Sequence, residues 1–385
     1  MKKILIIHSD EFLTNKNPLG GVFQFDQAKY LSENNFKVDI LSAGVLSPKK
    51  FFQNNVYVKE EKYKKINIFR KYSKNIYPFR LNIFNNLIAR KIASNGLKLF
   101  KDYLKKNSKP DLIHAHDLRY GSFIAYEIFK KYQIQYVITE HNSDILEYKY
   151  PRSLIKITKE IIENSKNFST VSRLLAERLK LFFKIKKDIK ILHNVLAKEF
   201  LIKRKLEVRK SSFTFISVTR FDKNKNIEIL IEAFQKISKI NNSKLKIIGD
   251  GPMYSKIKNK IKKKGLSHRI YLLGNLNRKK IITHLSKANC FVLPSKVETF
   301  GVSTIEALSC GLPVILSKNA GSIEIKKKIS NVIIYKPNKI SILYKEMQKI
   351  YYSKKVIDKK NLRMKTILTF GVKNFLKQIT QIYKI

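Results

Sequence analysis

Cysteines, acidic residues and long apolar runs are all scarce in this sequence of 385 residues. Two cysteines, Cys290 and Cys310, make no disulfide framework and indicate a reducing compartment. No stretch approaches the ~20 apolar residues that span a bilayer. The first apolar run ends at His8, which predicts a buried strand rather than a signal peptide. We therefore expect a cytoplasmic protein, or one at the inner face of the cytoplasmic membrane.

Basic residues are abundant: 79 Lys and Arg face 29 Asp and Glu, a formal net charge of +50. The lysine bias partly reflects genome composition. Even so, this charge attracts anionic partners such as phosphate-bearing ligands, lipid surfaces or nucleic acid. A hydrophobic content of 44% excludes a disordered chain, and the length favours two domains.

Short apolar runs alternate with helix-period segments. The predicted strands are Ile4–Ile7, Val38–Leu41, Leu112–His114, Tyr136–Thr139, Phe168–Val171 and Ile189–Leu192, then Phe213–Val218, Leu245–Ile248, Ile270–Leu273, Phe291–Leu293, Val314–Leu316 and Val332–Ile334. Continuous Ile and Val runs are typical of strands buried on both faces of a parallel sheet.

This order predicts an α/β protein with two doubly wound, Rossmann-like parallel-sheet domains facing each other across a cleft. We expect an N-terminal domain over 1–193, a linker over 194–211, a C-terminal domain over 212–369, and a helix over 370–385 that returns to the N-terminal domain. Ligands of such sheets bind outside the carboxyl ends of the strands.

The stretch VETFGVSTIEALSCGLPVI (297–315) carries two glutamates eight positions apart, Glu298 and Glu306. Ser303 and Glu306 have the spacing of a capping box, with Ser303 as N-cap, so Glu306 has a structural explanation. Gly311 would end the helix in a left-handed conformation.

Glu298 precedes that helix and has no such explanation. Gly301 lets backbone approach a ligand, and the amides of Phe300, Gly301 and Val302 would form an anion site at the helix N-terminus. Amides that take a phosphate, flanked by carboxylates that accept from hydroxyls, suit a phosphorylated polyol.

Two cations, Arg220 and Lys225, follow the strand Phe213–Val218 at the same predicted sheet edge. They could neutralise a diphosphate, Arg220 as a bidentate fork and Lys225 as a point charge. The competing explanation is two more basic residues among 79.

The N-terminal half offers weaker candidates. Gly20 and Gly21 are either a flexible turn or a loop whose bare backbone approaches a phosphate. In PDLIHAHDLRY, we expect a loop to begin after His114 and to carry His116 outward as a catalytic candidate, with His141 in TEHN a weaker one. A structural role for a lone histidine competes with each.

Several sites are disfavoured. Gly249-Asp250-Gly251 resembles a dinucleotide fingerprint, but Tyr254 replaces its third glycine and the acidic partner is missing. The sequence has neither an Asp-x-Asp pair nor a phosphate-binding loop with Gly-Lys, so we expect no metal site and no cofactor.

These motifs together resemble the retaining GT-B glycosyltransferases of family four, also called the glycosyl transferases group 1. The resemblance rests on LPSKVETFGVSTIEALSCGLPVI, AGSIEI, VTRFDKNKNIEILIEAF and IIGDGP, and on GGV, DLIHAHD, TEHN and TVSR in the family's order. Two departures, Thr219 in place of Gly and His193-Asn194-Val195-Leu196 at the linker, touch no ligand-binding residue type.

The resemblance implies a metal-independent hexosyltransferase that takes a nucleotide-sugar donor and retains the anomeric configuration. Glu306 would bind the ribose hydroxyls, and Glu298 with the amides of 300–302 would hold the sugar. Arg220, Lys225 and the Gly20-Gly21 loop would stabilise the leaving diphosphate, and His116 would lie near the sugar and the acceptor hydroxyl.

The acceptor is expected to be a glycan or lipid-linked molecule of bacterial surface polysaccharide assembly, such as lipopolysaccharide or capsule. The basic-aromatic tracts FFQNNVYVKEEKYKKINIFRKYSKNIYPFR and LKLFKDYLKKNSK are either solvated helix faces or a patch that contacts anionic membrane. A nucleotide-sugar 2-epimerase on the same fold and a basic nucleic-acid-binding protein are the alternatives, although no nucleic-acid module is present and no specific nucleic-acid partner is expected.

Overall fold

The computed structural model describes residues 1–8, 20–47, 58–76, 84–202, 213–238, 242–353 and 357–384. Contacts divide the chain into two compact units. Unit 1 comprises Met1–Val195 with Phe375–Ile385, and unit 2 comprises Leu196–Asn374. Of the sequence-predicted linker at 194–211, residues 203–211 lie outside the described ranges.

Unit 1 is built on one sheet whose strands run in the order β3-β4-β2-β1-β5-β6-β7-β8. All its pairings are parallel except β3 with β4. The strands are β1 (Lys2–His8), β2 (Phe36–Leu46), β3 (Val58–Tyr63), β4 (Ile66–Lys74), β5 (Leu112–His116), β6 (Tyr136–Glu140), β7 (Asn167–Thr170) and β8 (Ile189–Ile191). The helices are α1 (Val22–Glu33), α2 (Asn85–Lys106), α3 (Gly121–Tyr132), α4 (Ile155–Asn164) and α5 (Arg173–Phe183), with a 3₁₀ turn at Arg152–Leu154.

Unit 2 has a parallel sheet in the order β11-β10-β9-β12-β13-β14. Its strands are β9 (Thr214–Val218), β10 (Lys244–Ile248), β11 (Ile270–Leu272), β12 (Cys290–Leu293), β13 (Val314–Ser317) and β14 (Val332–Tyr335). Its helices are α6 (Lys198–Leu201), α7 (Ile227–Ser238), α8 (Tyr254–Lys263), α9 (Arg278–Ser286), α10 (Val302–Ser309), α11 (Ala320–Lys326), α12 (Ile340–Tyr352) and α13 (Lys359–Phe370), with a 3₁₀ turn at Lys223–Lys225. This is the doubly wound order in which the topology switches direction between the two central strands, here β9 and β12.

The last helix, α14 (Val372–Tyr383), begins in unit 2, and from Phe375 onward it belongs to unit 1. Its buried residues Phe375, Ile379, Ile382 and Tyr383 recur at helical spacing and form one apolar face. Asn167 donates to the carbonyl of Ile382 at 2.6 Å, which ties the helix end to β7.

The predicted fold class is confirmed: both units are parallel-sheet α/β domains, and each predicted strand overlaps an observed one. The continuous runs work as predictors because central parallel strands are buried on both faces. In β1, for example, Ile4, Leu5, Ile6 and Ile7 are all fully buried.

The hairpin β3–β4 lies in the first basic-aromatic tract, where the interpretation as a solvated helix face is wrong. The charged side chains of the hairpin conceal the alternation expected of a strand. Such charged residues are typical of strands at a sheet edge. Phe69 and Tyr72 of β4 are buried. Residues 51–57 and 77–80 of that tract lie outside the described ranges. In the second tract, on α2, Phe100 and Tyr103 are core residues and the lysines face outward, which fits the solvated-face interpretation.

Candidate functional site

An ion pair stands at the switch point of unit 2. Lys225 follows β9 and Glu298 follows β12, and these two strands are hydrogen-bonded neighbours. The Lys225 Nζ lies 2.6 Å from Glu298 Oε1, and both side chains are mostly buried, with 21% and 15% exposed. The structure thus brings together two residues that the sequence analysis selected independently.

The backbone around Lys225 is held in place on both sides. Asp222 caps the 3₁₀ turn, because its Oδ1 accepts from the N–H groups of Asn224 at 2.9 Å and Lys225 at 3.2 Å. The N–H of Lys296, in the loop after β12, donates to the carbonyl of Asn224 at 2.7 Å. The two loops that carry the ion pair are therefore directly joined.

The loop of Glu298 rests on the start of α11. Gly321 donates its N–H to the carbonyl of Glu298 at 2.9 Å, and a Cβ at position 321 would lie 2.2 Å from the carbonyl oxygen of Phe300. Asn319 caps α11 and also donates to the carbonyl of Ser295 at 3.0 Å. Neither residue was predicted from the sequence, although AGSIEI has a small residue just inside a helix start, which is a signal for such close packing.

Arg220 is exposed, and its guanidinium makes no hydrogen bond or ion pair with the described residues. Its backbone neighbours are anchored, because Phe221 donates to Asp250 at 2.9 Å and Thr219 donates to Ile248 at 3.0 Å. A Cβ at Gly249 would lie 1.9 Å from the carbonyl of Thr219. Gly249 therefore serves the packing that presents Arg220.

The predicted capping box is wrong. The helix α10 begins at Val302, and its N-cap is Gly301 at φ 90°, with no side-chain cap hydrogen bond. Ser303 and Glu306 consequently lie at the second and fifth positions of the helix, where Glu306 cannot reach back to the cap. Glu306 is half-buried in the second turn. The capping explanation for Glu306 therefore does not hold.

The predicted helix end is confirmed. Gly311 takes φ 76°, and its N–H donates to the carbonyl of Leu308 at 2.9 Å. Leu312 donates to the carbonyl of Ala307 at 3.2 Å, which completes a Schellman motif.

In unit 1, the diglycine begins a helix. Gly21 has φ 70° and is the N-cap of α1, where its carbonyl accepts from the N–H of Phe25 at 2.9 Å. Gly20 lies in the turn before it, and residues 9–19, which connect it to β1, lie outside the described ranges. Whether a phosphate approaches this backbone stays a prediction.

The histidines of unit 1 are arranged differently from expectation. The strand β5 continues through His116, so no loop begins after His114, and both rings share one face with centroids 4.2 Å apart. His116 is fully buried, and its Nδ1 lies 2.9 Å from Nε2 of His141, which is half-buried. His141 is therefore the more accessible of the pair.

These imidazoles are uncharged near neutral pH. Burial and repulsion from His141 lower the pKa of His114 to about 3. Burial and repulsion from His8 lower the pKa of His141 to about 4, and burial with the neighbouring rings lowers the pKa of His116 well below its usual value. Each can therefore act as a neutral donor and acceptor.

Glu140 is a further buried group at this edge that the sequence analysis passed over. Its carboxylate accepts from the N–H of Leu118 at 2.7 Å and from the N–H of Asn142, and so joins the loops after β5 and β6. Burial and repulsion from Asp117 raise the pKa of Glu140 to about 8, although the two N–H donors lower it. The sequence signal for Glu140 is the motif TEHN, in which a carboxyl group stands beside a histidine at the end of a strand.

Two kinds of feature are absent from the described ranges. In that part of the chain, no group of three or more His, Cys, Asp or Glu side chains is arranged to hold a metal ion. Nor is any described helix both long and apolar enough to cross a membrane.

Two family models match adjacent parts of the chain. The model described as Glycosyltransferase Family 4 matches residues 20–197, and the model described as Glycosyl transferases group 1 matches residues 198–367. Together they account for far more than half of the sequence. The chain belongs to glycosyltransferase family four. The division between the two models falls close to the boundary between unit 1 and unit 2 of this family-four chain.

Curated relatives extend over both units. An uncharacterised glycosyltransferase, MJ1178, of Methanocaldococcus jannaschii is 29% identical over 60% of this chain and 62% of its own length. The N-acetyl-alpha-D-glucosaminyl L-malate synthase of Bacillus anthracis is 25% identical over 64% of this chain and 70% of its own length. The chain thus aligns with somewhat under two thirds of the first relative and slightly more of the second.

Among solved structures, a sucrose-phosphate synthase from Thermosynechococcus elongatus has a TM-score of 0.78 at 18% identity, covering 100% of this chain and 98% of the other. This likeness shows the GT-B fold. Both family models describe glycosyltransferases, so they favour neither the epimerase nor the nucleic-acid-binding alternative.

Proposed function

We propose that this chain is a retaining glycosyltransferase that moves a hexosyl group from a nucleotide-sugar donor to a hydroxyl acceptor without a divalent metal ion. The observation that carries the proposal is the Lys225–Glu298 pair at the switch point of unit 2, where doubly wound sheets bind their ligands. Membership of family four supports the reaction class.

The donor diphosphate is assigned to Arg220 and Lys225. Arg220 is exposed, and Lys225 sits in the loop joined to that of Glu298. A leaving diphosphate gains negative charge in the transition state, so cations that are already in position stabilise that state more than the ground state. Two such cations supply the charge that a divalent ion would otherwise supply.

The sugar and ribose are assigned to the two glutamates. Glu298 would accept from sugar hydroxyls while its second oxygen keeps the contact with Lys225. The amides at the start of α10, over residues 300–302, would take a phosphate or sugar oxygen, because Gly301 caps the helix without a side chain. Glu306, one turn further along the helix, would bind the ribose.

Retention of configuration is proposed to follow from attack on the face from which the diphosphate leaves. In unit 1, the half-buried His141 would contact a substrate hydroxyl as a neutral group, and the predicted role of His116 would be exerted through its hydrogen bond to His141. Proton NMR of the product reports the anomeric configuration, and an inverted product would refute this mechanism.

A thermal-shift screen tests the donor site. Binding of UDP-, GDP- and ADP-sugars should raise the melting temperature of the wild type, since a ligand of the native state stabilises it. Glu306→Ala and Arg220→Ala should abolish that rise, while Lys223→Ala, an exposed cation in the same loop, should keep it. Unchanged ligand shifts in both site variants would remove this site.

The acceptor is proposed to be a lipid-linked or growing surface glycan. The exposed lysines of α2, such as Lys98, Lys101 and Lys105, would contact anionic headgroups through charge alone, because the aromatics of that tract are buried. Vesicles with and without phosphatidylglycerol should differ in how much protein they co-sediment at low salt. Equal co-sedimentation would refute membrane contact.

A further inference from the structure

The histidines of unit 1 fall into two classes by their hydrogen bonds. Both ring nitrogens of His114 have partners, with Tyr383 Oη 3.0 Å from Nδ1 and Thr139 Oγ1 2.7 Å from Nε2. In contrast, His116 and His141 are bonded only to each other, and the outer nitrogens, His116 Nε2 and His141 Nδ1, are buried with no hydrogen-bond partner in the described structure.

The proton of His114 can be assigned from its chain of partners. Ser169 donates its hydroxyl proton to the carbonyl of Ile138 at 3.0 Å, so it must accept from Thr139, whose Oγ1 lies 2.7 Å away. Thr139 then has no proton left for His114. His114 therefore carries its proton on Nε2 and accepts from the Tyr383 hydroxyl through Nδ1.

No such chain determines the proton of His116 or His141. Each neutral ring has one N–H, and one of the two bonded nitrogens must be the donor across the 2.9 Å contact. If His116 Nδ1 donates, His116 Nε2 is an acceptor and His141 Nδ1 is a donor. If His141 Nε2 donates instead, His116 Nε2 is a donor and His141 Nδ1 is an acceptor.

We propose that His116 and His141 form one neutral dyad with coupled tautomers, so that the two outer nitrogens always present one donor and one acceptor and a tautomer change at the buried His116 reverses that of the more accessible His141. The chemical class that satisfies such a pair is the neutral hydroxyl, which both donates and accepts. The role in acceptor or sugar recognition rests on the proposed function, whereas the coupling itself does not.

The surroundings keep the dyad rigid. His116 stacks on His114, which Tyr383 anchors to α14. On the other side, the Asn194 side chain lies close enough to His141 to raise its pKa by a polar contact, although Asn194 Oδ1 and His141 Nδ1 each make no hydrogen bond of normal geometry in the described structure. His116 Nε2 and His141 Nδ1 are therefore held in place without a hydrogen bond of normal geometry to another described side chain.

Histidine-selective ¹⁵N labelling of the full chain tests the coupling, because long-range ¹H–¹⁵N spectra show which ring nitrogen bears the proton, and only 7 histidines contribute. His141→Phe should shift both nitrogens of His116 and change its tautomer, while His114 stays protonated on Nε2. His268→Phe, at an exposed position of unit 2, is the control. A His116 spectrum that His141→Phe leaves unchanged would overturn the dyad.

Kinetics test the positioning role with a donor found in the thermal-shift screen. His116→Phe should lower kcat by about tenfold or more with KM for the donor nearly unchanged, and His116→Asn should recover much of the loss, since its amide can replace Nδ1. An equal loss in both variants would refute tautomer control. If no nucleotide sugar binds, the proposed function is refuted. The NMR experiment still tests the dyad, because it needs no ligand.

Discussion

In unit 1, the carboxyl edge of the sheet carries three neutral rings, of which His114 and His116 are buried and His141 is half-buried. In unit 2, the corresponding edge carries Lys225 and Glu298 as an ion pair, with Arg220 exposed beside it. The two sheets share the doubly wound topology, so the fold does not decide which edge is charged. The difference lies in burial: a charge is expensive in a dry site unless it is paired. The histidines of unit 1 stay neutral, whereas Arg119 and Asp144 in the neighbouring loops form an ion pair at 3.1 Å.

The helix starts at the two edges differ in the same sense. Before α3, the Oδ1 of Asp117 accepts from the N–H groups of residues 119–121 at 2.9–3.2 Å. Before α10, Gly301 offers no side-chain acceptor. The first start is closed by a side chain of the protein, and the second has no side-chain cap that would compete with an anion. A neutral edge suits hydroxyl chemistry, and an ionic edge suits a diphosphate.

The largest effect is expected from breaking the ion pair. Lys225→Ala removes a cation assigned to the leaving group and leaves Glu298 unpaired, so turnover of the donor should fall by about 10²–10³-fold. Steady-state kinetics with a donor from the thermal-shift screen measures it. Lys223→Ala should leave turnover unchanged, and an equal loss in that control would mean that only general charge matters.

Gly321→Ala tests how far the ionic edge depends on packing. The new Cβ would lie 2.2 Å from the Phe300 carbonyl, so the Glu298 loop or α11 must shift, at a cost of about 3 kcal/mol in the free energy of unfolding. Urea denaturation measures the cost. Gly265→Asn is a suitable control because position 265 has open space and a φ of 65° that Asn tolerates. If Gly321→Ala left the free energy of unfolding unchanged, the packing of α11 against the Glu298 loop would not hold that loop in place.

The neutral edge should show itself in the pH dependence of stability. The folded pKa of Glu140, about 8, lies above its ordinary value of 4.5, so its contribution to stability is complete below pH 4.5 and is lost as the pH rises through 8. From pH 6.5 to about pH 9, this loss amounts to roughly 2 kcal/mol, at about 1.4 kcal/mol per pKa unit. The lowered pKa values of His114 and His141 act below pH 6.5, in the opposite direction, and leave this window clear.

Glu140→Gln should remove that slope between pH 6.5 and about pH 9, whatever its effect on absolute stability. Urea melts at several pH values provide the measurement, with Glu160→Gln, a carboxylate nearer the surface, as the control. A wild type whose stability does not change over this window would mean that Glu140 is ionised in the folded protein, and the contrast between a neutral and an ionic edge would fail.

The sequence predicts those parts of the structure that depend on local pattern. Continuous Ile and Val runs identify twelve strands, and Gly311 identifies the end of α10. The β3–β4 hairpin escaped because its edge position tolerates charged residues on the exposed face. The start of α10 was predicted wrongly because Ser303 and Glu306 have the spacing of a capping box. The sequence does not show that Gly301, at φ 90°, is already the N-cap.

The site depends on tertiary structure to a greater degree. Lys225 and Glu298 lie 73 residues apart, and only the adjacency of β9 and β12 brings them within 2.6 Å. Their selection from sequence was possible because both follow strands in a doubly wound order. The burial of His116 was not predictable, because the strand could end at His114 or at His116 without any change in the pattern.

The smallest effect is expected at Ser303. As the second residue of α10 with no cap hydrogen bond, it should tolerate Ser303→Ala with a change below about 0.5 kcal/mol in the free energy of unfolding, whereas removal of an N-cap costs typically about 1 kcal/mol. Asp117→Ala, at the closed helix start of unit 1, is the matched contrast and should cost about 1–2 kcal/mol. Urea denaturation of both variants compares the two starts directly. Equal costs would show that Ser303 does cap α10, that its amides are satisfied by the protein, and that this helix start is no more available to an anion than its counterpart in unit 1.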